Sequence, residues 1–109
     1  MILNFFLNKR LSIAQAILSA DNDESFETSL KLIETNVFTK SRIFKDEYPL
    51  LTVLSKKQNI NKANLNKFAA YLKQKANTNF PYMNKLYLTF SSMISTFCEK
   101  IECSENELV

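Results

Sequence analysis

The chain has 109 residues, enough for one domain with a core of its own. Its 46% apolar and 23% charged residues, with a formal charge of +3, describe a globular chain and exclude wholesale disorder. It has no Gly, His or Trp, which removes glycine-rich phosphate loops, His-based catalytic triads and His-containing zinc sites, and takes from tight hairpins their usual Asn-Gly and Asp-Gly turns.

The apolar spacing is helical almost throughout. Residues 2–20 place Leu3, Leu7, Ala14, Ile17 and Leu18 on one side of a first helix. Lys9 and Arg10 ahead of 11–20 imitate a short secretory signal, but Ser12, Gln15 and Ser19 interrupt the apolar stretch, so a helix with a broad buried face is expected. Asp21 or Asp23 is placed to cap the next helix, whose apolar residues Phe26, Leu30, Ile33 and Val37 step by four, three and four. Residues 39–46 read as a connection or a short helix. Asp46 then reads as an N-cap, with Pro49 in the first turn, where a missing N–H costs nothing.

Leu50, Leu51 and Leu54 follow, and Lys56-Lys57-Gln58-Asn59 closes that helix. Asn61 starts another, with Leu65, Phe68, Ala69, Leu72 and Ala76 on one stripe, and Asn77-Thr78-Asn79 ends it. Pro81 opens the last helix, where Met83, Leu86, Tyr87, Phe90, Ile94, Phe97 and Ile101 step by three or four. In the absence of Gly, Asn36, Asn59 and Asn77 are the candidates for left-handed helix ends. The expected fold is all-α, a small antiparallel helical bundle of four to five helices. One domain covers 1–103, and 104–109 reads as a frayed acidic tail.

The longest uncharged run, 86–98, has thirteen residues, five of them Ser or Thr, too short for a span of about 20 apolar residues. Cys98 and Cys103 stand five apart, which on a helix turns them about 140° from each other. They read as separate buried thiols in a reducing compartment, not as a redox or zinc motif. The segment 21–32 opens like a calcium loop but has Phe26 where the turn needs Gly and Leu32 where the metal needs Glu, so no metal site and no cofactor is expected. Glu99 and Glu102 share a helix face near a solvated terminus, and no nucleophile has an activating neighbour in sequence; the expectation is a protein that is not an enzyme.

Charge is segregated. Residues 1–39 carry three bases against five acids, 40–98 ten against two, and 99–109 one against four. Such segregation points to partners of opposite charge. The acidic cluster Asp21, Asp23, Glu24 and Glu27 serves helix capping and dipole, or forms an anionic patch for a cationic cleft. The basic segment offers Lys40, Arg42, Lys45, Lys56, Lys57, Lys62 and Lys67 to nucleic acid. Measured from Leu65, however, Lys62 falls near ~60° and Lys67 near ~200°, on opposite flanks of the apolar face. Only two Arg are present to read bases or clamp phosphates.

In size, helical content and an Asn- and Lys-rich composition of the A/T-rich kind, the chain resembles the small helical immunity proteins of bacterial toxin systems, loosely over its whole length and without a shared motif. That resemblance implies a cytoplasmic protein-binding module that neutralises a toxin by steric and electrostatic occlusion. The patch 21–27 would cover a basic active site, and exposed aromatics such as Phe44, Tyr48, Phe80 or Tyr82 would anchor the interface. The alternative is a nucleic-acid-binding regulator using 40–75. A homodimer through Ile2, Leu3, Phe5, Phe6 and Leu7 is a further expectation.

Overall fold

A computed structural model describes residues 13–35 and 43–107, with side chains as far as Ile101. The fold is an all-α bundle, and no strand occurs among the described residues. Its elements are α1 over residues 13–19, α2 (Asp23–Glu34), a π-helical turn (Ile43–Glu47), α3 (Tyr48–Ser55), α4 (Lys62–Lys75) and α5 (Pro81–Glu107). The expectations for Leu3, Leu7, Asn36, Val37, Lys40 and Arg42, and the dimer face at 2–7, lie outside the described residues.

The start of α2 differs from expectation by one residue. Neither Asp21 nor Asp23 caps it. Asn22 does, its side chain accepting the Ser25 amide at 2.9 Å while the Ser25 hydroxyl accepts the Asn22 amide at 3.0 Å. This reciprocal capping box satisfies two amides that the helix cannot. Asp23 and Glu24 are left in the first turn, where negative charge favours the helix dipole.

The start of α3 also differs. Asp46 is no N-cap, because it lies inside the π turn, which runs straight into α3. The cap position falls to Glu47, whose side chain makes no capping bond, and Pro49 sits in the first turn as expected. The sequence offers no sign that Glu47 is drawn into the interior, yet it is 2% exposed.

Asn61 caps α4 as expected, accepting the Asn64 amide at 3.2 Å. Helix ends are where the glycine-free composition matters most. No described residue has positive φ, so the expected left-handed Asn caps do not occur at Asn59 or Asn77. Thr35, Lys56 and Ala76 close their helices with φ of −81°, −70° and −77°. The chain leaves each helix without the conformation that disfavours a Cβ.

The core follows the predicted stripes. Ile13, Ala14 and Ile17 of α1 meet Phe26, Leu30 and Ile33 of α2, Leu51 of α3, and Leu65, Phe68, Ala69 and Leu72 of α4. Leu86, Tyr87, Phe90, Met93, Ile94, Phe97 and Cys98 of α5 complete it. Each large apolar side chain so buried contributes about 1.5–3 kcal/mol. Helices α4 and α5 form an antiparallel hairpin in which Ser91 donates its hydroxyl to the Ala69 carbonyl at 2.7 Å. Two small side chains at that crossing let the helices approach, and the bond fixes their register. Backbone helix in α5 continues to Glu107, through the stretch that reads as a tail.

Candidate functional site

The five large apolar side chains that stand exposed among the described residues are Phe44, Val53, Phe80, Tyr82 and Leu88. Three of them fall within nine residues at the corner where α4 gives way to α5. Phe80 is 67% exposed, Tyr82 57% and Leu88 43%. Exposed aromatic side chains of this kind anchor interfaces when the backbone beneath them is held.

It is held here by a staple of polar groups. Thr78 donates its amide to Asn84 Oδ1 at 2.9 Å, and Asn84 Nδ2 donates back to the Thr78 carbonyl at 2.9 Å. The Thr78 hydroxyl also reaches Asn84 Oδ1 at 2.7 Å and accepts the Phe80 amide at 3.1 Å. The Asn84 amide meets the Phe80 carbonyl at 3.1 Å, which starts the helix, and Pro81 supplies a preset φ at its first position. The side chain of Asn84 thus pairs with Thr78 as a neighbouring backbone would. Sequence reasoning took Asn77-Thr78-Asn79 for a helix breaker and missed this clasp; the signal was an Asn six residues after a Thr, across a proline.

The other expected anchors divide. Phe44 is 42% exposed on the π turn. Tyr48 corrects the expectation of exposure: it is half-buried, edge-on to Phe97 at 6.0 Å between centroids, with Lys100 Nζ over its ring at 5.4 Å. It serves the core at the foot of α3.

Within the acidic cluster, Asp21, Asp23 and Glu24 are exposed. Glu27 is half-buried at the rim of the α2–α4 seam, accepting the Tyr71 hydroxyl and lying 3.7 Å from Lys75 Nζ. The bond from Tyr71, aided by Lys75, holds its carboxyl below the usual range, against a smaller opposing effect of burial. Burial and the Glu27 carboxylate push the Tyr71 phenol up to about 12. A second bridge repeats the pattern, with Tyr87 donating to Glu34 at 2.5 Å and its phenol raised by burial and by that carboxylate. Tyrosine hydroxyls at the rim of the core were expected; their pairing with two carboxylates of α2 was not. Beside this patch a hollow of ≈ 350 Å³ is lined by short polar side chains, among them Ser19, Asn22, Ser25, Thr28 and Ser29.

Of the expected basic residues, Lys45, Lys56, Lys57 and Lys67 are exposed and Lys62 is half-buried. They spread over the π turn, the end of α3 and two flanks of α4, so the structure does not bring them together on one helix face. Among the described residues no group of three or more His, Cys, Asp or Glu is placed to hold a metal ion. No described helix is long and apolar enough to cross a membrane. No family model, curated protein or solved structure matches this chain.

Proposed function

We propose that this chain is a cytoplasmic protein-binding module that acts by occupying its partner's surface, in the manner of an immunity or antitoxin-type inhibitor. The observation that carries the reading is the corner at 78–88: Phe80, Tyr82 and Leu88 exposed over a backbone clasped by Thr78 and Asn84. An aromatic anchor held in advance loses little entropy on docking, so its burial appears as affinity. The outward-facing Asp21, Asp23 and Glu24 supply a second, charged element that would speed encounter with a cationic surface. The buried position of Cys98 suits a reducing compartment.

The test is capture by the protein encoded beside this chain, inactivated at its reactive centre. The wild-type chain retains it, Phe80→Ala combined with Tyr82→Ala releases it, and the partner's toxicity returns with the double variant. Retention unaffected by the double variant removes the corner from the interface, and no retention at all ends the reading.

A further inference from the structure

Tyr82, Lys85 and Leu88 are spaced three apart on α5, which sets them in one row along the helix. All three are exposed, and the exposed Phe80 immediately precedes the helix. From Tyr82 to Leu88 the row runs about 9 Å at 1.5 Å per residue, the reach of nearly two turns of a facing helix. A ridge of this kind fits the groove of a second helix laid against it.

Charge selects which helix. Residues 48–98 contain seven Lys and no Asp, Glu or Arg. Lys85 lies in the row itself, and Lys73 lies in the last turn of α4 at the same corner; both are exposed, and neither pairs with a described carboxylate. Lys75 is already shared with Glu27. At Lys73 and Lys85 a basic helix would meet like charge. A nucleic-acid strand would find faces to stack on at Phe80 and Tyr82, but no Arg among residues 48–98 to clamp its phosphates and nothing of its own to cover Leu88. An acidic amphipathic helix satisfies both requirements at once, its apolar stripe on Phe80 and Leu88 and its carboxylates on Lys73 and Lys85.

We propose that this row receives an acidic amphipathic helical segment of the partner protein, an inference that rests on the protein-docking reading above. The probes are a helix-forming peptide with Leu on one stripe and Glu on its flanks, the same peptide with Lys for Glu, an oligo-dT strand, and vesicles of phosphatidylglycerol. Each is titrated against the full chain while its amide resonances are followed by NMR. The acidic peptide shifts Phe80, Tyr82, Lys85 and Leu88 saturably, and salt weakens it. Lys85→Glu and Phe80→Ala each cost about tenfold in affinity with helix content unchanged, as befits exposed contact residues. If the lysine peptide binds this row as well as the acidic one, the charge argument falls and protein docking stands. If oligo-dT or vesicles take the row in preference to the acidic peptide, the inference falls to that other class of partner. If no probe moves these resonances, the inference falls, and the adjoining-partner experiment still decides the docking reading independently.

Discussion

Phe26, Phe68 and Tyr71 meet in the seam between α2 and α4, whereas Phe80 and Tyr82 stand in the open where α4 turns into α5. In the seam, Phe26 and Phe68 stack with centroids 5.3 Å apart and planes 11° from parallel, and Tyr71 closes over Phe26 at 5.5 Å. The rings there hold the backbone. At the corner the relation is reversed, since the bonds between Thr78 and Asn84 hold the backbone and the rings are carried by it. The same residue types therefore stabilise the fold in one place and are displayed by it in the other.

Mutation separates the two. The largest effect belongs to Phe68→Ala, which empties a fully buried position and costs about 3–5 kcal/mol in urea unfolding. Next comes Asn84→Ala, which removes the clasp at once. It costs about 1–2 kcal/mol, and faster amide exchange is expected over 77–84. A stability loss with unchanged exchange there would show that the clasp does not order the corner.

Tyr87→Phe removes the donor to Glu34 and costs about 1 kcal/mol near neutral pH. The two phenols also predict an alkaline limit. Both are raised in the folded chain above the ordinary 10.0, so their contribution is whole below that pH and is lost as pH climbs through the folded values, about 12 for Tyr71. Thermal melts of the Tyr71→Phe, Tyr87→Phe double variant lose part of that alkaline sensitivity. Glu27 has the opposite sign: its lowered value means a contribution present above the ordinary 4.5 and lost on acidification. The smallest effect is that of Phe80→Ala, within about 0.5 kcal/mol, since little of its ring is buried. A cost near that of Phe68→Ala would erase the distinction between the two clusters.

The seam could be read from spacing, because Phe26, Leu30 and Ile33, and Leu65, Phe68 and Leu72, repeat with the helix. The same arithmetic placed Leu86, Phe90, Ile94 and Phe97 inside. It did not find Thr89, Ser91 and Met93, which are buried because α5 is covered over a wider arc than one stripe. Helix starts were found to within a residue, but the particular side chain was missed at Asn22, where two aspartates competed for the role, and at Asp46, which the π turn absorbed. Phe80 and Tyr82 were named as anchors by their position beside a break. Tyr48 was named on the same grounds and proved half-buried, because residues outside a regular stripe carry no period from which burial follows. Lys73, Lys85 and Leu88 became a set with them only when the hairpin joined the end of α4 to the start of α5.

The absence of positive φ at every described position has a consequence for how this corner can change. Turns that depend on glycine punish any larger side chain, and their contact residues are limited by the geometry beneath. No such penalty attaches to residues 76–82, where a branched, bulky or charged replacement meets no handedness barrier. The tip can accordingly exchange its contact residues while its chain path stays put, so selectivity for one binding partner over another can drift without remodelling the scaffold.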